Sequence, residues 1–134
     1  MSEIAQAVKK IVEWTKLKCH IQASPERVRY FKEREIWWAS IGANIGSEEN
    51  GKHERFERPI LILKRFNENL VWAIPATSKV RENAHHFHSP SGDDSQTFIL
   101  SQLRAISPKR LLRKQRSLPE DEFMILREKI KILL

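Results

Sequence analysis

Arg58 stands at the seam of NIGSEENGKHERFERPILILKRF (residues 44–66), where a polar loop runs without pause into an apolar segment. The loop carries Gly46 and Gly51 and four glutamates, Glu48, Glu49, Glu54 and Glu57. An arginine set on a rigid strand and facing such a loop can offer its planar fork to two oxygens of one anion, which lysine cannot do. It can equally pair with Glu48, Glu49 or Glu57 and simply close the strand end. A second cluster, His85, His86 and His88 in NAHHFHSPSGDD (83–94), invites a metal reading with Asp93 or Asp94. His86 and His88 would share a strand face, but the spacing matches no strong zinc signature. A surface loop, bare or facing nucleic acid, is the preferred reading.

Positioning these groups requires one compact domain, and 134 residues suffice for a single core. Hydrophobic residues make up 40% and charged ones 31%, which excludes disorder along the whole chain. The lone Cys19 excludes an internal disulfide framework and fits a reducing compartment. Lysines and Glu13 interrupt the first twenty residues, so no signal peptide or membrane span is expected, and a cytoplasmic location is. Lys and Arg number 24 against 17 Asp and Glu, a net +7 that favours polyanionic partners. The excess lies at the ends, most densely in PKRLLRKQR (108–116), which has five cations and no anion. That run is either a solvated face or a phosphate-tracking patch.

Residues 3–19 place Ile4, Ala7, Val8, Ile11, Trp14 or Thr15, and Cys19 near helical spacing, so an amphipathic helix is expected there. Ser24 and Pro25 then break the chain, dividing an N-terminal helical extension (1–23) from the domain that follows (24–134). Strands are expected at 35–41, 58–66, 70–78 and 96–107, the second opening on Pro59 and the NEN turn making a hairpin with the third. Residues 79–95 read as loop. Ser117 lies three before Glu120, a capping-box pattern for a last helix with Phe123, Leu126 or Arg127, Ile130 and Leu133 on its buried stripe. The class is α+β: a small antiparallel sheet or partial barrel with helices at its ends.

The string REIWWASIGANIGSEENG, followed by ERPILIL, IPATSK and ILSQLRAISPKRL, resembles the MazF/PemK toxins of bacterial type II toxin–antitoxin systems. The likeness covers residues from 35 to the end. Arg34 stands where the family has a glycine. KHERFE (52–57) is an insertion, and the N-terminal helix lies outside the minimal toxin. Ser101 replaces a charged residue, and Ser47 a histidine, found in some relatives.

The resemblance implies an SH3-like antiparallel β-barrel that forms homodimers. It further implies a metal-independent, ribosome-independent endoribonuclease acting on single-stranded RNA, needing no cofactor and silenced by an acidic antitoxin. In such chemistry the 2′-hydroxyl attacks phosphorus, the developing charge is held, and the 5′-oxygen leaves, giving a 2′,3′-cyclic phosphate. Arg58 would hold the phosphate, Thr77 would donate to it, and Glu48 would orient Arg58 or act as a base. Ser47, Ser78, Lys79, Arg81, Ser101 and Gln102 would contact RNA, while His53 could replace the missing loop histidine. Trp37, Trp38 and Trp72 are read as core, with base stacking the alternative. Two rival expectations are a catalytically lapsed module that binds RNA or antitoxin, and a gyrase inhibitor similar to CcdB.

Overall fold

The computed structural model describes residues 2–25, 30–92 and 95–134. Helix α1 (Glu3–Ala23) is followed by β1 (Glu35–Ser40), β2 (Glu57–Asn67), β3 (Leu70–Thr77), β4 (His86–Ser89), β5 (Gln96–Ile99), β6 (Arg104–Ile106) and β7 (Leu111–Ser117). Helix α2 (Glu120–Leu133) ends the chain, and 3₁₀ turns occupy Leu100–Gln102 and Pro108–Arg110. The strands form one antiparallel sheet in the order β4-β5-β3-β2-β1-β7, with β6 also on β3.

Strand β2 explains the two-sided core. Ile60, Leu61 and Ile62 are all at most 1% exposed, which requires cover on both faces. Ile60 and Ile62 join Trp37, Ala39, Val71, Ala73 and Leu111 on one side. Leu61 joins Ile36, Ile74 and Phe98 on the other, where α2 adds Phe123 and Leu126. The β2–β3 hairpin closes at Asn67↔Leu70, as the NEN turn predicted.

The α+β class holds, with an open sheet: β4 and β7 are the ends of the strand path, and side chains of β4 and β5 bridge to β7. Gln96 Nε2 donates to Gln115 Oε1 at 2.8 Å, and Arg116 Nη2 donates to Gln96 Oε1 at 2.8 Å and Ser89 Oγ at 3.0 Å. Other expectations are corrected. Residues 79–95 contain β4, which pairs with β5. The single strand expected over 96–107 is broken by the 3₁₀ turn, so β5 and β6 pair with different parts of β3. Pro59 is the third residue of β2, opposite Trp38, rather than the first. The capping box is absent too. Ser117 pairs with Glu35 as the last residue of β7, Pro119 is the cap, and Glu120, Asp121 and Glu122 complement the helix dipole instead.

Helix α1 forms, but on a different face. Ser2 caps it, and Trp14 is buried, whereas Ile4, Val8 and Cys19 from the expected stripe are exposed. The inward residues are Ile11, Trp14, Leu17 and Ile21. Trp14 meets Phe56 at 5.8 Å between ring centroids, and Arg110 lies over its indole at 5.6 Å. Gly42, at φ 95, leaves the room: a Cβ there would come within 2.2 Å of the indole. The N-terminal helix and the 52–57 insertion, the two additions to the family pattern, thus pack on each other.

The missing family glycine also finds its physical setting. Arg34 has φ 76, left-handed backbone that favours glycine. Its amide donates to Ile62 O at 2.9 Å, and its Nη1 donates to Leu118 O at 3.0 Å, tying the start of β1 to the entry of α2. Arg34→Gly and Arg34→Ala both lose that guanidinium bond, but only alanine keeps the strained φ. Urea unfolding is expected to rank the glycine variant about 1 kcal/mol above the alanine variant. The reverse order would mean that no strain resides there.

Candidate functional site

Arg58 lies near the start of β2, and its guanidinium is held on three sides. Nε donates to Asn50 O at 2.7 Å, and Nη1 donates to Ala76 O at 3.0 Å. Nη2 pairs with Glu49 Oε2 at 3.1 Å, and the side chain is 12% exposed. The fork is therefore not open for a bidentate grip as the residue type suggested. Two backbone carbonyls aim it, and only the edge facing Glu49 can change partner. The bond to Ala76 O brings the guanidinium to the residue before Thr77, which itself pairs with Thr97 of β5. Thr77 is half-buried there, and its Oγ1 accepts the Lys79 amide at 3.3 Å, which leaves the hydroxyl proton able to donate.

The loop between β1 and β2 is shaped from within. Gly51 N donates to Gly42 O at 2.8 Å, and a Cβ on Gly51 would strike Phe56 O at 1.7 Å, so glycine is required at this close approach. Asn44 Nδ2 donates to Ile41 O and Glu49 O. Glu48, expected to orient Arg58, instead accepts the Ile45 amide at 2.9 Å and stabilises the turn. The carboxylate on Arg58 belongs to its neighbour, Glu49. Both positions carry the same side chain, and only the turn's backbone direction separates their roles.

Gln102 clamps this loop to the 3₁₀ turn. Its Oε1 accepts the Glu49 amide at 3.3 Å, and its Nε2 donates to Ser47 O at 3.0 Å. Ser47 is exposed and contributes a carbonyl rather than a histidine's chemistry. Ser78, Lys79 and Arg81 are exposed just past Thr77. Ser101 Oγ lies 3.3 Å from His85 Nδ1. The adjacent His86 ring is 4.4 Å from that of His85, and His86 Nδ1 lies 2.8 Å from Asn83 Oδ1. Burial, together with the charges of His85, Arg81 and Lys129, pushes the His86 imidazole below its usual range, while Glu49 pulls it upward. Glu49 therefore acts electrostatically on both Arg58 and the histidine pair.

Other candidate groups go elsewhere. Each cation of the 108–116 run has a partner within the chain. Lys109 binds Gln22 O and Ser24 O, and Arg110 binds Ser40 O. Arg113 pairs with Glu57, Lys114 with Glu35, and Arg116 with Ser89 and Gln96. These bonds stitch the sheet, while Arg113 and Lys114 keep about half of their side-chain surface exposed. His53 is exposed in the insertion and acts on Glu57. His88 bonds Thr97 Oγ1. Among the described residues no three metal-ligating side chains converge; Asp93 and Asp94 lie outside them. Trp37 is core, and Trp38 is half-buried beneath Arg113. Trp72 is 43% exposed against Phe66. It lies five residues before Thr77 on β3, roughly 16 Å away, too far to stack on a base bound at that hydroxyl.

Glu49 pairs with Arg58 as one of the three glutamates expected to be able to, whereas Asn50 and Asn83 were not predicted for the site and His85 was read only within a surface or nucleic-acid-facing loop. The signal for the first two lay in the crowded acidic turn itself. Nothing in the spacing of the His-rich segment indicated that it folds back onto Ser101.

Comparisons with known proteins agree with this geometry. Residues 32–134 match the family model described as PemK-like, MazF-like toxin of type II toxin-antitoxin system. A crystal structure of MazF (Form-I) from Deinococcus radiodurans is similar over 81% of this chain and 97% of that one, at 21% identity and TM-score 0.65. The MazE-MazF structure (Form-II) from the same organism matches over 81% and 96%, at 18% identity and TM-score 0.60. The Mycobacterium tuberculosis toxin MazF-mt6 matches over 74% and 94%, at 21% identity and TM-score 0.56. At these identities the likeness establishes the fold. No curated protein sequence matches the chain. No helix among the described residues is long and apolar enough to cross a membrane.

Proposed function

Since the chain belongs to the PemK-like, MazF-like toxins of type II toxin–antitoxin systems, we propose that it is an endoribonuclease cutting single-stranded RNA. The observation that carries this reading is Arg58, its guanidinium held by two backbone carbonyls, one of them that of Ala76, the residue before Thr77. A cation with a fixed base and one exchangeable edge can leave Glu49 for a phosphate without reorganising its other bonds, which is how preorganised donors lower a barrier. The Thr77 hydroxyl donates to the same phosphate. The 2′-oxygen bonds to phosphorus, the bond to the 5′-oxygen breaks, and a 2′,3′-cyclic phosphate and a 5′-hydroxyl result. These side chains carry the charge stabilisation, and the reaction is proposed to need no metal.

Lys79 and Arg81 are exposed just past Thr77 and suit the backbone of an entering strand. Residues 1–23 are proposed as an appendage to the toxin domain of 24–134. An acidic antitoxin, a homodimeric state and a cytoplasmic location complete the reading, in keeping with the net +7 charge and the MazE-MazF relative.

The test is incubation of purified protein with a pool of random-sequence RNA oligonucleotides in EDTA, with product ends identified by mass. Cleavage to 2′,3′-cyclic phosphate ends is expected. RNA retained without cleavage would favour the binding module, and breaks in DNA that depend on gyrase would favour the CcdB-like reading.

A further inference from the structure

The Ser101–His85 contact brings to the site two imidazoles for which the Arg58–Thr77 arrangement has no task. We propose that His86 and His85 are the proton-transferring pair of the cleavage reaction, His86 accepting the 2′-hydroxyl proton and His85 supplying one to the leaving 5′-oxygen. The inference deepens the nuclease reading and rests on it.

Hydrogen bonds define which nitrogen does what. Asn83 Oδ1 accepts the His85 amide at 3.0 Å, which identifies that atom as the carbonyl oxygen. An oxygen acceptor facing His86 Nδ1 at 2.8 Å requires the proton on Nδ1, so Nε2 carries the lone pair of a base. The lowered affinity of His86 for protons keeps that lone pair available at neutral pH. His85 is exposed, and its backbone is tied to the 3₁₀ turn by Leu100 N donating to His85 O at 2.9 Å. As an imidazolium, its Nδ1–H donates to Ser101 Oγ and its Nε2–H stays available to a leaving oxygen. Ser101 therefore brings in an acid that the serine itself cannot be.

The pair is linked to the Arg58 side of the molecule through Glu49. Gln102, next to Ser101, is bonded to the loop at Ser47 and Glu49. Glu49, bonded to Arg58, is close enough to act on the His86 charge. The charged groups acting on the pair come from three segments: Arg81 of its own loop, Lys129 of α2, which also donates to His86 O at 2.7 Å, and Glu49 of the β1–β2 loop.

The proton count closes. The O2′–H bond breaks as His86 Nε2 takes its proton and O2′ bonds to phosphorus. As the bond from phosphorus to O5′ breaks, O5′ takes the proton of His85 Nε2. The pair finishes with one proton, as it began, moved from His85 to His86 and re-equilibrated through solvent.

The sign of the pH effect follows. Below the His86 pKa the base is protonated and idle, so the rate climbs as pH rises through a value under 6.5, the ordinary histidine value from which His86 is lowered.

The experiment is the single-turnover pH–rate profile on the RNA pool for the wild type, His86→Ala, His85→Gln and Glu49→Gln, with folding checked by circular dichroism. His86→Ala is expected to lose about a hundredfold or more in rate, to lose the rising limb, and to regain rate with added imidazole. His85→Gln is expected to lose about a hundredfold in rate while keeping the rising limb. A rising limb intact in a folded His86→Ala, or one that disappears only in Glu49→Gln, would overturn the inference and leave the nuclease reading standing. Failure of the wild type to cleave at any pH would overturn both. If His86→Ala does not fold, His86→Gln, which can still donate to Asn83, takes its place under the same criteria.

Discussion

Replacing Arg58 by lysine is expected to reduce RNA cleavage by about a hundredfold or more, although the charge is kept. Three bonds leave the guanidinium in three directions, to Asn50 O, Ala76 O and Glu49. A lysine ammonium on a flexible stem can satisfy one or two of them, and it has no planar edge left to exchange a carboxylate for a phosphate. The same bonds tie the β1–β2 loop to β3, so lysine leaves at least one of the two carbonyls, the part-buried Ala76 O or the exposed Asn50 O, without its donor. A stability loss of about 1–2 kcal/mol is expected from that alone. Rate and stability must be measured together, by single-turnover cleavage beside urea unfolding. A lysine variant that cuts within threefold of the wild type would show that position 58 supplies charge without geometry, and the phosphate-holding role would be wrong.

Trp14→Ala is the second large effect, and it is expected far from the chemistry. Trp14 is the buried residue of α1, and its indole fills the space against Gly42, Phe56 and Arg110. Truncating a buried tryptophan costs about 3–5 kcal/mol when the cavity cannot collapse. The lower end is expected here, because α1 can detach instead. A detached α1 loses the tertiary packing that supplies most of a helix's stability in a protein, so its amides should lose protection. Phe56 and Gly42 sit at the neck of the loop that carries Glu49 and Asn50, and that loop should loosen with the helix. Hydrogen exchange read peptide by peptide checks this: faster exchange in both 3–23 and 42–57, with the β2–β3 hairpin unchanged. Protection retained in 42–57 would mean that the appended helix and the loop are independent.

The contrast between these two sites shows which kinds of information local sequence carries. Helices, β1 and the β2–β3 hairpin were legible because side-chain periodicity and turn chemistry are properties of neighbours along the chain. The Arg-Pro seam and the Thr77 strand end were legible as a family pattern, and Arg58 reaches the carbonyl of Ala76 beside Thr77. Even Arg34 was visible as a departure, and its left-handed backbone gives the departure its physical cost.

Contacts between distant segments had no such signature. Whether Glu48 or Glu49 meets Arg58 depends on the backbone path of one turn, since the two side chains are chemically alike. The five cations of 108–116 resembled a surface patch until the sheet brought Glu35, Glu57 and Gln96 within reach of three of them. His85 and Ser101, sixteen residues apart, meet because β4 folds back on β5. Residue types and their order thus determine which elements form and which reactive groups they carry. Partner choice among equivalent groups is set by three-dimensional proximity, because hydrogen bonds and ion pairs act over a few ångströms whatever the separation along the chain.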